Sequence, residues 1–435
     1  SIPLAAIGNK LHFQGQSGEV VAIQTEGFAQ IAATPTHPGV TSNLEPHLIR
    51  NERSNAVVAY GDRFILKLYR ITDQCINPDF EIGQFLTQTS TAIGLPHPET
   101  FAPIAGSLEY RRKGVEPMTI GLLMKLIPEA RDAWNFTLDA MRDWFEQVLT
   151  LQTEAHQVKL PPTSLVHALD VEIPDLAQQT MSGFLMAAEL LGQRTAELHI
   201  ALASDIDNPG FAPEAFNAFY QRSIYQYMRN QSGQVLLNLK KQLPQLPDDL
   251  QRPAQLILNY REQLLGRFKT VIDQPITTMR TRCHGNYHLE DVLYTGKDFV
   301  IVDFEGEPIR PLTERRMKRS PLRDVAGMLQ SFYYASQIAL DREVKSGLIR
   351  PESLPLMQQW TRFFSGWASV AFFKSYLATA EHATFLPRTK AELQTLLDAY
   401  LLEKAVYEVG YELSHRPDWV EIPLRRILEL LNLPE

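Results

Sequence analysis

Only two cysteines, Cys75 and Cys283, occur in 435 residues. Two thiols in a chain this long exclude a disulfide-stapled secreted scaffold and indicate a reducing compartment, so the expected location is the cytoplasm. No apolar run reaches the roughly 18 residues that span a bilayer. The best candidates, residues 183–191 and 367–373, are short, and the first contains Glu189. A basic balance is also lacking. The net charge is −8 and the pI about 5.8, which argues against a sequence-independent nucleic-acid binder. GxSxG, HExxH, CxxC, Walker A and GxGxxG patterns are all absent, so hydrolase, zinc-protease, thiol-redox and P-loop chemistries have no support. The chain starts at Ser1 without an initiator Met, a basic n-region or an apolar core. The expectation is a processed chain or a piece of a longer one, without a signal peptide.

What is present is ordinary globular composition, 44% hydrophobic and 21% charged, in a length that suits two or three domains. Residues 20–25 and 28–33 read as strands and 34–43 as a loop. Residues 56–60 and 64–69 are apolar and β-prone around Gly61-Asp62-Arg63, a hairpin pattern. Asn77-Pro78-Asp79 opens a helix, with Asn as cap, Pro in the first turn and Asp against the dipole, and the helix runs to about 89. Strands follow at 106–111 and 118–126. From 134 the spacing is helical, over 136–155, 183–203, 213–243 and 248–274. One β island at 292–295 and 299–304 interrupts it, and helices resume at 322–340, 352–379, 390–414 and 424–431. The predicted fold class is α+β, a β-rich N-terminal lobe followed by a large helical lobe.

Lys67 stands out in the strand 64–69. Phe64, Leu66 and Leu68 form one face, Ile65 and Tyr69 the other, and Lys67 interrupts the second. An unpaired buried ammonium is very costly, so Lys67 must snorkel from an edge strand or meet an anion. Glu81 on the following helix is the expected partner. A strand lysine with a helix glutamate is how kinases position ATP phosphates.

The second constellation is His284-Gly285-Asn286-Tyr287-His288-Leu289-Glu290-Asp291, then a hairpin ending in Val302-Asp303-Phe304-Glu305. The kinase spacing is a base, a metal-binding residue five positions on, a hairpin, and a second metal-binding acid. Positions 286, 291 and 303 match it. Phosphoryl transfer needs this layout because magnesium must bridge phosphate oxygens while the acceptor hydroxyl is positioned.

The stretch HGNYHLEDVLYTGKDFVIVDFEGEPIRPLTERRMKRSPLRDVAGMLQSF resembles the maltokinases, which phosphorylate maltose at its anomeric hydroxyl and are often fused to or partnered with trehalose synthase. RSNAVVAYGDRFILKLYR, LGQRTAELHIALA and LLEKAVYEVGYELSHRPDWVEIPL extend the resemblance from Glu52 to the end. It implies the aminoglycoside-phosphotransferase-like kinase fold, with a partial N-terminal cap at 1–50, an N-lobe at 51–130 and a helical C-lobe at 131–435. It implies ATP and Mg2+ as cofactors, with Lys67 and Glu81 on the phosphates and Ser54 and Asn55 in the lid loop. Met124, Lys125 and Leu126 would form the adenine hinge, with Asp291 and Asp303 on magnesium. The sugar would be held by His288, Glu403, Lys404, Tyr407, Glu408, Tyr411, Arg416 and Trp419, although Tyr407 and Tyr411 at i, i+4 also suit plain helix packing.

The family's loop usually reads HGDxHLGQ. Here the catalytic aspartate is Asn286, the glycine is Glu290 and the glutamine is Asp291. Asn cannot accept a proton as Asp does, which predicts slow turnover rather than none. Three readings follow: a maltokinase making maltose 1-phosphate, a nucleotide- or sugar-binding pseudokinase regulating or attached to trehalose synthase, and a kinase for another sugar such as glucosamine. A metal site from Cys283, His284 and His288 lacks a fourth ligand. The basic cluster Arg310, Arg315, Arg316, Lys318, Arg319 and Arg323 is expected to ion-pair with Glu307, Glu314 and Asp324.

Overall fold

The computed structural model describes residues 2–33, 44–51, 55–94, 96–151, 158–307 and 310–434. In chain order the elements are α1 (Ile2–Gly8), β1 (His12–Gln14), β2 (Glu19–Gln24), α2 (Glu26–Ala33), β3 (Pro46–Asn51), β4 (Asn55–Tyr60), β5 (Phe64–Tyr69), α3 (Pro78–Ala92), β6 (Ile104–Arg111), β7 (Met118–Lys125) and β8 (Arg131–Asp132). Then come α4 (Ala133–Leu149), α5 (Leu165–Ala168), α6 (Asp175–Leu202), β9 (Glu214–Ala215), α7 (Ala218–Gln242), α8 (Asp248–Asn259), α9 (Arg261–Asp273), β10 (Met279–Arg280), β11 (Val292–Tyr294), β12 (Phe299–Ile301) and α10 (Leu312–Arg315). Four helices close the chain, α11 (Leu322–Ser346), α12 (Leu354–Thr379), α13 (Lys390–His415) and α14 (Glu421–Leu431). This is the α+β class expected from the sequence. Among the described residues no helix is long and apolar enough to cross a membrane.

The chain forms two compact units. The first comprises Ser1–Ala133, Glu197–Phe211 and Arg282–Lys318; the second comprises Trp134–Ala196, Ala212–Thr281 and Arg319–Glu435. The loop-and-hairpin segment 282–318 therefore packs with the β-rich part, whereas the sequence reading placed it with the helical part.

The first unit is built on a seven-stranded antiparallel sheet in the order β1-β2-β6-β7-β5-β4-β3. Strand alternation gives each residue of β5 one face. Phe64 and Leu66 join Ala6, Ile7, Ile31 and Tyr60 in one buried cluster, beneath α1 and α2. Tyr69 joins Phe80, Ile104 and Leu122 in another, on the α3 side. Lys67 shares the parity of Tyr69, and its register partners are Val57 and Leu122. A second sheet, β12-β11-β8, carries the hairpin. The expected cap of α3 is present, since the Asp79 N–H donates to Asn77 Oδ1 at 3.0 Å.

The second unit is helical. The apolar run of α11 and the aromatics Trp360, Phe363, Phe364, Phe372 and Tyr376 of α12 are buried. Gly192 of α6 allows a close crossing with α12, because an added Cβ would lie 2.2 Å from the Phe372 carbonyl oxygen. A capping box between Thr389 and Glu392 starts α13.

Several local expectations need correction. Residues 28–33 form α2, not a strand; Gly27 and Ile31, one helical turn apart, are its buried face. Residues 248–274 form two helices broken at Tyr260 (φ −96°, ψ 20°), without a glycine or proline at the break. The hairpin's second strand stops at Ile301, three residues before the expected end. The 34–43 loop and the end of the 136–155 helix fall on or partly on residues outside those described.

Candidate active site

Lys67 is buried and surrounded by acids of the first unit. Its Nζ lies 2.6 Å from Asp303 Oδ1, 3.1 Å from Asp79 Oδ2 and 3.0 Å from Glu305 Oε1. Asp79 also accepts the Tyr69 hydroxyl at 2.9 Å and the Phe304 N–H at 2.9 Å. It thus ties β5 to the turn carrying Asp303 and Glu305. Burial works against the Lys67 ammonium, but Asp303 and Asp79 override it and hold its pKa well above the ordinary lysine value. Burial likewise opposes ionisation of Asp303, yet Lys67 keeps that carboxyl below its usual range. Glu305 rises to about 7 through burial, opposed by Lys67 and reinforced by Asp303 and Asp79.

The acid partner expected for Lys67 is therefore corrected from Glu81 to Asp79. The helix is capped at Asn77, so Asp79 in its first turn faces the strand. Two residues on, Glu81 points roughly 200° further round the axis. There it meets Arg282 Nη1 at 2.9 Å, Arg316 Nη2 at 2.9 Å and Arg316 Nε at 3.1 Å. Burial would raise the Glu81 carboxyl, but the two arginines hold it below the carboxylate norm.

The loop before the hairpin is pinned from its backbone. Gly285 adopts φ +92°. His284 Nε2 is 2.9 Å from the Val302 carbonyl, and the Val302 N–H donates to the Asp291 carbonyl at 2.9 Å. Asp303 itself sits at φ +69°, an uncommon conformation for a residue with a Cβ, and Gly306 follows at φ +70°. Asn286 Nδ2 lies 3.2 Å from His288 Nε2, and that nitrogen is 3.3 Å from Asp291 Oδ2. Asp291 is buried. Burial first, then the Asp303 and Glu290 charges, push its carboxyl well above the usual value. Among the described residues its Oδ2 has no hydrogen-bond partner and lies 3.3 Å from the His288 ring nitrogen.

Cys283, His284 and His288 do not converge. Among the described residues, the one grouping of three such side chains with ligand atoms close together is His97, Glu99 and Asp298.

Met124 and Lys125 end β7. The Lys125 N–H donates to the Pro103 carbonyl at 2.9 Å and the Leu126 N–H to the Arg63 carbonyl at 2.8 Å. Asn55 is buried at the start of β4, opposite Tyr69. Ser54 lies outside the described residues. The basic cluster is partly paired as expected: Arg310 meets Glu307 and Glu314. Arg316 instead meets Glu81 and Glu116, Lys318 donates to the Pro209 carbonyl, and Arg323 lies 3.8 Å from Glu403.

The expected sugar residues other than His288 belong to the second unit, on α13 and the turn after it. Glu403 is buried. Lys404 lies 3.4 Å from Glu408 and 5.3 Å from the Tyr407 ring centre. Tyr407 and Tyr411 stack at 6.4 Å, and Arg416 covers both Trp419 at 4.3 Å and Tyr411 at 5.3 Å. Two α11 side chains anchor this face. Gln330 Nε2 donates to Glu408 Oε2 at 2.8 Å, and the Tyr334 hydroxyl donates to Glu412 Oε1 at 3.3 Å. Arg416 grips Glu412 through Nε at 2.9 Å and Nη2 at 2.8 Å.

Sequence reasoning missed Asp79, Glu305, Arg282, Glu412, Gln330 and Tyr334 as members of these clusters. Glu412 had a visible signal, one turn after Glu408 on the same face. Asp79 was read only as a helix-dipole residue.

A β-rich unit holding one lysine among three carboxylates, followed in sequence by a helical unit, makes this an α+β protein. No family model matches the chain. It has the fold of a solved glucosamine kinase in complex with glucosamine, ADP and inorganic phosphate (TM-score 0.64, 18% identity, 97% of this chain and 94% of that one). It is 23% identical over 326 residues to a glucosamine kinase from Streptacidiphilus jiangxiensis, covering 73% of this chain and 59% of that protein. A glucosamine kinase from Mycolicibacterium smegmatis is 29% identical over 150 residues, 34% of each chain. The chain thus spans between about a third and three-fifths of the curated relatives it matches.

Proposed function

We propose that the chain is an ATP- and magnesium-dependent kinase that phosphorylates a small sugar, with an amino sugar of the glucosamine type as acceptor. The observation that carries the reading is Lys67 held among Asp79, Asp303 and Glu305. A fixed ammonium beside carboxylates that can hold a metal is the arrangement phosphoryl transfer needs.

Asp291 and Asp303 would hold the magnesium ion. They supply hard oxygen donors, and the buried Asp291 Oδ2 that makes no hydrogen bond fits a cation that binds through one or two carboxylates plus phosphate and water. When bound, the metal neutralises charge on the transferring phosphoryl group. Lys67 binds phosphate oxygens, and Asp79 positions Lys67. Met124, Lys125 and Leu126 form the adenine-side edge, with Asn55 at the phosphate side. Asn286 orients the acceptor hydroxyl without taking its proton, so turnover is slower than with an aspartate.

The acceptor reading favours glucosamine over maltose. Glucosamine kinases are found in both comparisons. The trehalose-synthase partner rests on sequence resemblance alone and forms no part of the reading. The cytoplasm is the inferred compartment, from two buried free cysteines. The test is ADP release with ATP and magnesium, comparing glucosamine, maltose, glucose and trehalose. Fastest turnover on glucosamine is expected. Equal or faster turnover on maltose would move the assignment to a maltokinase. Nucleotide binding with no turnover on any sugar would leave the pseudokinase reading.

A further inference from the structure

A lysine ammonium carries three N–H donors and no acceptor. On Lys67 each of the three meets a carboxylate, Asp303 at 2.6 Å, Glu305 at 3.0 Å and Asp79 at 3.1 Å. A phosphate oxygen can therefore reach the ammonium only by displacing one of them. Three carboxylates clustered on one ammonium also repel an incoming anion.

The three are not equally free to leave. Asp79 is buried, and both its oxygens are committed: Oδ2 also accepts the Tyr69 hydroxyl, and Oδ1 accepts the Phe304 N–H. Moving it would undo the joint between β5 and the turn. Asp303 makes the shortest contact with Lys67 and sits at φ +69°. As a proposed magnesium ligand it stays beside the phosphates. Glu305 differs from both. Its main chain is anchored, since its carbonyl accepts Arg315 Nη1 at 3.4 Å. Its carboxylate, among the described residues, has a single hydrogen-bonding or ion-pair partner, Lys67. A flexible side chain joins the two, so the carboxylate can turn away with the backbone fixed.

We infer that Glu305 is an internal competitor of the nucleotide: its carboxylate holds the place on Lys67 that a phosphate oxygen takes, and it turns away from Lys67 when the phosphate arrives. The inference rests on the phosphotransfer reading of Lys67. Exchange of a carboxylate for a phosphate keeps three anionic partners on the ammonium throughout. The buried charge is therefore never left unpaired, which would be costly. The same exchange weakens the grip on nucleotide and so favours release of ADP.

The test is calorimetric titration of the full chain with ADP, once in EDTA and once in magnesium, with adenosine as the ligand that carries no phosphate. In EDTA, Glu305→Gln binds ADP about tenfold more tightly than wild type, the scale of one charged hydrogen bond. Glu305→Ala does the same; it serves as the check should the glutamine amide stay bonded to Lys67 or disturb the turn. Adenosine affinity is unchanged in both, which places the gain at the phosphates. Wild type that binds ADP with magnesium, beside folded variants that bind metal-free ADP no more tightly than wild type, overturns the inference alone. An equal gain for adenosine also overturns it. Absence of ADP binding from all three proteins in both buffers overturns the phosphotransfer reading together with it.

Discussion

Asp79, not Glu81, is the helix carboxylate that holds Lys67, at 3.1 Å, and its other oxygen accepts the Phe304 N–H at 2.9 Å. One side chain therefore fixes both Lys67, the proposed phosphate-binding lysine, and the turn bearing Asp303. Asp79→Asn is expected to weaken ATP binding at least tenfold and to cost about 3 kcal/mol of stability, the scale for breaking a buried charge pair. Glu81→Gln should also lower stability, because it removes the carboxylate that the buried Arg282 and Arg316 share, but should leave ATP affinity within about twofold by that reasoning. Nucleotide titration and chemical denaturation of both variants check this. Equal loss of ATP binding in the two would contradict the assignment.

The Glu81 cluster also predicts a pH effect on stability. Its folded carboxyl lies below the unfolded value, with Arg282 and Arg316 outweighing burial. A depressed folded value contributes stability that is present above about pH 4.3, the unfolded glutamate pKa, and is lost as pH falls through the folded value. Denaturation midpoints measured from pH 6 to pH 3 should therefore converge for wild type and Glu81→Gln at the acid end. A constant gap across that range would count against the pairing.

Asn286 tests the chemistry of the loop. Its amide contacts His288 and cannot take a proton. Asn286→Asp restores a base, and kcat should rise by about 100-fold, the lower end of the range for general-base catalysis. KM for ATP should change little. A fall in kcat would show that the present loop is tuned to asparagine.

On the helical unit, Glu412 is held by Tyr334 and by both arms of Arg416. Glu412→Gln removes the charge and loosens Arg416 over Trp419. KM for the sugar should rise about tenfold, the scale of one charged hydrogen bond, while KM for ATP stays within about twofold. A change confined to ATP would remove the α13 face from the acceptor site.

Much of this was readable from residue order. The odd lysine in an apolar strand and the Asn77 cap each carry a local signal and sit where expected, while Asp303 lies two residues beyond the end of its strand. Partner choice was not readable. Whether Asp79 or Glu81 meets Lys67 depends on helix phase, a rotation of roughly 200° over two residues that spacing from the lysine does not reveal. The Tyr260 break has no glycine or proline to mark it. In α2, Phe28, Gly27 and Ile31 gave a short apolar run in which strand and helix periods are hard to separate. The α11 anchors Gln330 and Tyr334 are legible only through long-range packing against α13, 78 residues further along the chain in both hydrogen bonds.

The most direct test is phosphorus NMR of the protein incubated with ATP, magnesium and glucosamine, beside the Asp303→Asn variant. The account predicts a new phosphomonoester resonance growing with ADP in the wild type and absent from the variant. Folded wild-type protein that binds ATP yet forms no phosphomonoester, or a resonance that persists in Asp303→Asn, would contradict it.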